Sequence, residues 1–446
     1  MADGVDRLMA RIAERGDANA LVETDGGHVS YAALGDAIAA RRAEFGQMGI
    51  APGDVVALQG DFDLASISAQ IALWCCGCTV ALIPEGALDP LELAGTAGAS
   101  WLLGKGIRPR RCEPVFSDPL IEELRARGQP GLVLFTSGVS GRPKAILHDT
   151  DRFLAAYSGA RKAFRTVAFL LYDHVAGQDT MFYTLHAGGT LLALPSRRPS
   201  DVTKVIARDQ AEVLPTSPSF LRLMCLHGEL YAGELASLRV ITYGSEVMDA
   251  ATLERVARIA PHARLIQKYG ATEFGVIPAV TRSDDGRWLR FDETRAGIRI
   301  RDGILWIKAP GTMIGYLGGD RVRMEDGWLC TGDEVEQDGE WYRITGRASK
   351  IINVGGEKVH PSEVEATILQ LAEVAEVSVF GVPHPLMGHV VCASILPASG
   401  TAAVDELRRE IRRHCSRFLA RHKVPAIVKF AEKGFIGARQ KALSDQ

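Results

Sequence analysis

Apolar runs of three to five residues recur along the chain, and each is too short to be a buried helix. They fall at residues 55–58, 79–83, 131–135, 167–171, 190–194, 240–242 and 265–267. Runs of this length between turn-forming residues read as strands covered on both faces. Stretches with helical spacing separate them: residues 31–45, closed by Gly49, then 66–76, 199–209 and 250–259. His28-Val29-Ser30 is a short β-prone entry to the first of these helices. Strands alternating with helices restrict the chain to an α/β architecture with a largely parallel sheet.

From about Gly303 the texture changes. Residues 304–308, 334–337 and 341–345 pattern as strands, joined by Asp-Gly and Asp-Gly-Glu sequences that favour hairpin turns. After Gly346-Arg347 a small α+β unit is predicted. It has a strand at 351–354, the pair Gly355-Gly356 and a helix opening at Pro361, a favourable first helical position. Strands at 377–380 and 390–396 and an amphipathic helix at 405–419 follow. A length of 446 residues suits about three domain-sized units, or one large domain and a small one.

Composition removes several function classes. The net charge of -3 offers no general electrostatic footprint for nucleic acid. The longest apolar candidate, residues 71–84, is too short for a membrane span and contains Gly77 and Thr79. Residues 1–16 carry Asp3, Asp6 and Glu14 and no apolar signal core, so a secretory leader is not expected. Eight cysteines are too few for a disulfide scaffold. Cys75, Cys76 and Cys78 lie in an apolar run without a second ligand pair at zinc-site spacing, and read as buried small residues. The expected compartment is a reducing cytoplasm.

Four segments carry chemistry. The run Thr136-Ser137-Gly138-Val139-Ser140-Gly141-Arg142-Pro143-Lys144 follows a predicted buried strand. Its hydroxyls, glycines and exposed backbone N–H groups can wrap phosphate oxygens, and Lys144 adds a point charge on a flexible stem. The spacing is not that of a Walker A loop. The run Gln267-Lys268-Tyr269-Gly270-Ala271-Thr272-Glu273 supplies a ring that can stack on a purine, and a hydroxyl and carboxylate that can hold a phosphate with its Mg²⁺. In Cys330-Thr331-Gly332-Asp333 the carboxylate can accept two hydrogen bonds from a ribose diol. The fourth segment runs from Gly346-Arg347 through Ser349 and Gly355-Gly356-Glu357-Lys358 to His360-Pro361. Each has an ordinary alternative: a solvated Ser/Gly turn, a helix cap at Thr272 with Glu273 in the first turn, a plain turn at Asp333.

In this order and at these separations, the four segments resemble the adenylate-forming superfamily: acyl- and aryl-CoA synthetases, adenylation domains of peptide synthetases, and luciferases. The resemblance runs from about Val29 to Lys441. The stretch Gly355 to Glu365 looks most like the thioester-forming acyl- and aryl-CoA ligases. The resemblance implies an N-terminal adenylation domain, residues 1–348, and a small mobile C-terminal domain, residues 349–446, hinged at Ser349. It implies ATP, Mg²⁺ and CoA as cofactors, with a carrier-protein phosphopantetheine as the other candidate thiol. Thr136, Ser137, Gly138, Ser140, Gly141 and Lys144 would cover the ATP phosphates. Gly244, Ser245 and Glu246 would border adenine and the acyl pocket. Tyr269 and Gly270 would meet adenine, Thr272 the phosphate, Glu273 the Mg²⁺, and Asp333 with Arg347 the ribose. His174, Val175, Phe220 and Phe274 would line the acid pocket, and Gly355-Gly356 the thiol tunnel. Thr136, His174, Glu273 and Lys441 would be the catalytic set.

The chain departs from the family pattern in places. Near its end it reads Lys433-Gly434-Phe435-Ile436-Gly437-Ala438-Arg439-Gln440-Lys441-Ala442-Leu443. Lys441 best fits the catalytic slot by its distance from the hinge and its trailing apolar pair, although Gln440 stands where a glycine is usual; Lys433 is the rival. Val139 replaces a hydroxyl residue of the phosphate loop. Ser349 stands where Asp or Lys is common, with Lys350 beside it. Val175 occupies the place where amino-acid-activating relatives carry an Asp, which favours an acid without an α-amino group, aryl or fatty acyl. The expected product is an acyl- or aryl-CoA. Two alternatives remain: loading of an acyl carrier protein after the same first step, and a non-catalytic acyl- or nucleotide-binding homologue.

Overall fold

A computed structural model describes residues 3–431 except 88, 106, 114–116, 138–142, 160–161, 227–232, 320–322 and 399–403. Two seven-stranded sheets, each mostly parallel, form the body of the N-terminal part. In one, Gly131–Ser137, Thr79–Pro84, Val55–Gly60 and Trp101–Gly104 run parallel, and Pro143–Asp149 and Ile107–Arg111 are antiparallel additions. In the other, Arg264–Gln267, Val240–Tyr243, Val213–Thr216, Arg165–Val167, Thr190–Leu192 and Asn19–Val22 run parallel, and His28–Ser30 closes the edge antiparallel. All six residues of Val55–Gly60 are buried, as a strand covered on both faces demands.

Helices fill the space between the sheets. Tyr31–Met48 starts at Ser30, whose side chain accepts from Ala33 N, and ends at Gly49 with φ 81°. A left-handed terminator of this kind suits glycine. Leu64–Cys75 is capped by Asp63 and buried along nearly its whole length. One apolar cluster draws on both sheets and these helices, with Leu21 and Leu191 from one sheet, Val56, Val80 and Leu132 from the other, and Ile38, Ile71 and Trp74 between them. Cys78 is buried at this core, Cys75 and Cys76 are packed against it, and all three are free thiols. Burial pushes the Cys75 thiol up to about 11, which leaves it protonated and unreactive at neutral pH.

A third sheet is antiparallel, in the order Ala279–Thr281, Leu289–Phe291, Trp341–Arg347, Trp328–Asp338, Ile304–Lys308, Gly297–Arg301. Its Asp-Gly hairpins are of the expected kind: Asp302 and Gly303 have φ 52° and 74°, and Asp326 and Gly327 have 52° and 77°. The 3-10 turn Ala348–Lys350 leads from this sheet to the smaller C-terminal domain. There Ile352–Val354 and Glu357–Val359 pair through Gly355-Gly356, and a sheet including Val374–His384 and Gly388–Pro397 packs on helices Pro361–Ile368 and Val404–Phe418 around its own core. The protein is thus α/β, with a large and a small domain. Among the described residues no helix is long and apolar enough to cross a membrane.

Two expectations shift. The strand expected at 167–171 is Arg165–Val167, and the apolar residues after it, such as Phe169, are buried without sheet pairing. The strand Pro143–Asp149 lies where the sequence pattern suggested only the end of a loop.

Gly177 stands in the first turn of helix Val175–Ala187, where a Cβ would come within 1.9 Å of Leu171 O. Gly177→Ala is therefore expected to lose about 1–3 kcal/mol, because backbone cannot yield as a side chain can. Gly46→Ala, in a helix where a Cβ meets nothing within 4 Å, is expected to gain up to about 1 kcal/mol. Urea unfolding of the two variants checks the contrast.

Candidate functional site

Two contacts join the carboxyl ends of the parallel sheets. Arg197, beyond Thr190–Leu192, lies 3.8 Å from Asp61, beyond Val55–Gly60. Glu23, beyond Asn19–Val22, accepts from Leu64 N at 3.1 Å. Ligands of parallel α/β sheets bind beyond the carboxyl ends of the strands. Tyr269 and Ser137 both lie at this edge, after or at the end of a parallel strand.

The most constrained group is Asp333, which is buried. Its Oδ2 accepts from Tyr269 OH at 2.6 Å, and its Oδ1 from Arg347 Nε at 3.0 Å. Arg347 stands directly across the hairpin from Asp333. Burial pushes the Asp333 carboxyl above the ordinary carboxylate range, while Tyr269 and Arg347 pull it back. Burial, with Asp333 beside it, pushes the Tyr269 phenol well up, so it stays a donor. The Tyr269 ring stacks on Phe274 at 5.7 Å between centroids, and Phe274 is buried.

Thr272 and Glu273 do not open a helix. They form the turn between Tyr269–Ala271 and Gly275–Ile277, which pair antiparallel. Glu273 Oε1 accepts from Tyr316 OH at 2.9 Å, and Lys144 Nζ lies 5.1 Å from the centre of the Tyr316 ring. Sheet pairing accounts for this meeting. Lys144 is opposite Thr136 in the hairpin, and Tyr316 is opposite Ile146 on the next strand. The strand Pro143–Asp149, which pairs with the strand carrying Thr136 and Ser137, is thereby tied to Glu273 through one tyrosine. A carboxylate suits Mg²⁺, which is held by one or two carboxylates together with substrate phosphates, and a lysine suits the phosphates themselves.

A cavity of about 490 Å³ opens beside Tyr269, Asp333 and Arg347, between the two domains; Lys144, Glu273 and Tyr316 are not among its lining residues. Ser245, Glu246, Tyr269, Gly270, Asp333 and Arg347 are among its lining residues. From the C-terminal side Lys350 and Glu365 complete its wall. Burial raises the Glu365 carboxyl, and Arg222 and Lys350 oppose that rise. Among the described residues two polar contacts cross the junction: Ser362 Oγ donates to Thr345 O at 2.6 Å, and His360 Nδ1 lies 3.3 Å from Glu334 Oε2.

Residues 105–317 match the family model described as AMP-binding enzyme, and residues 363–434 match that of the AMP-binding enzyme C-terminal domain. The chain belongs to the adenylate-forming superfamily. It is 27% identical to the phenyloxazoline synthase MbtB of Mycobacterium sp. (strain MCS), over 96% of this chain and 40% of that protein. It is 29% identical to a 3-[(3aS,4S,7aS)-7a-methyl-1,5-dioxo-octahydro-1H-inden-4-yl]propanoyl:CoA ligase of Rhodococcus jostii (strain RHA1), over 67% of this chain and 61% of that one. The chain thus spans less than two thirds of the length of either relative. The fold matches that of the anthranilate CoA ligase AuaEII in complex with anthranoyl-AMP, with a TM-score of 0.80, 21% identity and coverage of 98% and 95% of the two chains.

Within this member of the superfamily the expected site residues fall into groups. Ser245, Glu246, Tyr269, Gly270, Asp333 and Arg347 meet at the cavity, and Lys144 and Glu273 meet at Tyr316. Gly244 adjoins the cavity wall, where a Cβ would come 2.7 Å from Lys268 O. His174 precedes helix Val175–Ala187, partly exposed, with Nε2 3.8 Å from Asp173 Oδ2. Val175, Phe220 and Phe274 are buried in three different apolar clusters. Gly355 and Gly356, with φ 59° and 92°, form the turn of a hairpin in the C-terminal domain. Ser349 is the middle residue of the turn Ala348–Lys350. Gly138, Val139, Ser140, Gly141, Lys433 and Lys441 lie outside the described residues. Sequence reasoning missed Tyr316 and Arg222, which stand in no recognisable motif, and gave no role to Glu365 at the end of the stretch Gly355 to Glu365; only the folded contacts single them out.

The raised carboxyl of Asp333 gives a prediction with a definite sign. In Arg347→Met the folded-state value rises further, because the opposing cation is gone. Below about pH 4, the ordinary carboxylate value, Asp333 is protonated in folded and unfolded chains alike, so wild type and variant differ least there. As the pH climbs through the raised value the variant carries a worse-compensated buried charge, and the stability gap widens. Arg347 is half-exposed, which holds the gap to about 1 kcal/mol or less. Urea unfolding of both proteins from pH 4 to pH 8 measures it; a gap that narrows with rising pH contradicts the account.

Proposed function

We propose that this protein activates an organic carboxylic acid, aryl or fatty acyl, with ATP and passes the acyl group to the thiol of CoA. The observation that carries the reading is the convergence on Tyr316, where a lysine of the phosphate-loop hairpin and the glutamate after Tyr269 meet. The buried Tyr269–Asp333–Arg347 cluster on the wall of a nucleotide-sized cavity supports it.

The chemistry follows from charge. A carboxylate oxygen attacks the α-phosphorus of ATP, and pyrophosphate leaves. Two anions must approach, so fixed positive charge must meet the developing negative charge. Lys144 is placed for this by our reading, and Lys441 is the second cation. Glu273 would hold Mg²⁺, which when bound supplies further neutralisation of the phosphates. Thr136, Ser137, Gly138, Ser140 and Gly141 cradle the β- and γ-phosphates, and Thr272 reaches the α-phosphate. Asp333 accepts from the ribose hydroxyls, and Tyr269 lies against adenine. The product, a mixed anhydride, is an activated acyl donor. A thiol sulfur then attacks its carbonyl carbon, the thioester forms, and AMP leaves with the bonding electrons.

His174, Val175, Phe220 and Phe274 are the proposed acid pocket. Residues 1–348 and 349–446 are the proposed domains, with Ser349 as hinge and Gly355-Gly356 beside the thiol channel. Rotation of the small domain would withdraw Lys441 after the first step and bring a different face to the second.

ATP–pyrophosphate exchange across a panel of aryl and fatty acids tests the first step. Exchange is expected with a subset of the panel. It should fall about 10²–10³-fold in Glu273→Gln and to a similar extent in Lys441→Ala, as for loss of one charge-stabilising group. Absence of exchange with every acid in wild type would make the chain a non-catalytic homologue. Exchange unaffected in Lys441→Ala, but lost in Lys433→Ala, would move the catalytic lysine. AMP release with CoA, against a holo carrier protein, then decides the acceptor; release with the carrier alone would overturn the CoA assignment.

A further inference from the structure

Segment 244–249 forms part of the cavity wall, and its backbone is strained. Ser245 has φ 70°, in the left-handed region that favours glycine. At Gly244 before it a Cβ would come 2.7 Å from Lys268 O, so the position suits only glycine.

The side chains on either side of the strain are pinned. Glu246 Oε2 accepts from Ser219 N at 3.1 Å and from Ser219 Oγ at 2.5 Å, at the start of helix Pro218–Leu226. Asp249 is buried and caps helix Ala250–Ile259, accepting from Thr252 N at 2.8 Å and Thr252 Oγ1 at 2.7 Å. Arg222 spans the two. Its Nη1 donates to Asp249 Oδ2 at 3.1 Å, and its Nη2 donates to Ser219 Oγ at 3.1 Å and to Glu246 Oε2 at 3.5 Å. One planar guanidinium therefore ties both ends of segment 246–249 to the helix before it. Arg222 is itself one-fifth exposed and lines the cavity. A lysine ammonium could serve one of these carboxylates but not both in this fork.

We infer that Arg222 is a positioning residue: it clamps Glu246 and Asp249 so that Ser245 stays left-handed and the nucleotide-facing wall keeps its shape. The inference rests on the adenylation reading only for the identity of what fills the cavity. The strained serine and the clamp form a coupled pair, so removing the strain should remove the need for the clamp.

The test is a double-mutant cycle on the full chain: wild type, Arg222→Met, Ser245→Gly and the double variant. Hydrogen exchange at amides 244–249, without nucleotide, reads the clamp directly. Arg222→Met should speed exchange about tenfold in the wild-type background and at most about twofold in the Ser245→Gly background. ATP binding by calorimetry should show the same pattern, and steady-state kinetics should show KM for ATP raised about tenfold in Arg222→Met with kcat changed less. Equal losses in both backgrounds, or no loss in either, overturn the proposal. Wild type that fails to bind ATP overturns the adenylation reading instead, and the exchange data still decide the clamp. Should Arg222→Met not fold, Arg222→Lys carries the same cycle.

Discussion

A carboxylate withdrawn from water must be given donors, and the position of Asp333 depends on how that demand is met. Its two partners come from different parts of the fold. Tyr269 arrives from a two-stranded antiparallel hairpin that follows the edge strand of a parallel sheet, and Arg347 from the antiparallel strand beside Asp333. The second pairing exists because of a local irregularity. Strand Trp328–Asp338 pairs Val335 with Ile344 but Glu334 with Gly346, so Thr345 is an extra residue. Without that bulge Asp333 would face Gly346, and Arg347 would lie one residue out of register. A one-residue slip sends a side chain to the other face of a sheet, and bulges beside functional sites often re-aim side chains in this way. The bulged Thr345 is also where the C-terminal domain attaches, through Ser362. The same irregularity thus orients the arginine and supplies the docking carbonyl.

Much of the frame was legible because its causes are local. The helices and the Asp-Gly hairpins follow from spacing, capping residues and left-handed turns. The boundary missed at 167–171 has a physical source. An apolar run reports burial, and burial continues past the last sheet bond: Phe169 packs its ring 4.2 Å from that of Phe220 at the carboxyl edge. Thr272 suited a helix cap by composition. The closing of Tyr269–Ala271 onto Gly275–Ile277 left no residues for a helix to start. Asp333 read equally as a turn residue, since a Gly-Asp pair carries no mark of lying inside an eleven-residue strand.

The site was legible to the extent that its residues stand in runs. Tyr269, Glu273, Asp333 and Arg347 each belong to a motif whose chemistry could be argued from residue type. Tyr316 and Arg222 do not. Tyr316 matters because strand pairing sets it beside Ile146, two residues from Lys144, while its hydroxyl reaches Glu273. Arg222 lies on a helix whose remaining side chains are largely apolar, and its partners Glu246 and Asp249 are 24 and 27 residues away. Meetings of this kind are set by topology, and no window of sequence contains both members.

The junction between the domains differs from every core in the molecule. It is bridged by a hydroxyl on a carbonyl and an imidazole beside a carboxylate, and the turn Ala348–Lys350 that connects it has no buried residue. The C-terminal domain keeps its own apolar cluster, from Ile352 to Val428. A domain with a complete core gives up little when it separates from its neighbour, because the hydrogen bonds broken at a polar interface are remade to water. Burial raises the Glu365 carboxyl, while the Val379 N–H that it accepts from and the cations Arg222 and Lys350 oppose the rise. A complete C-terminal core and a polar junction are the physical conditions for rotation about the proposed hinge at Ser349.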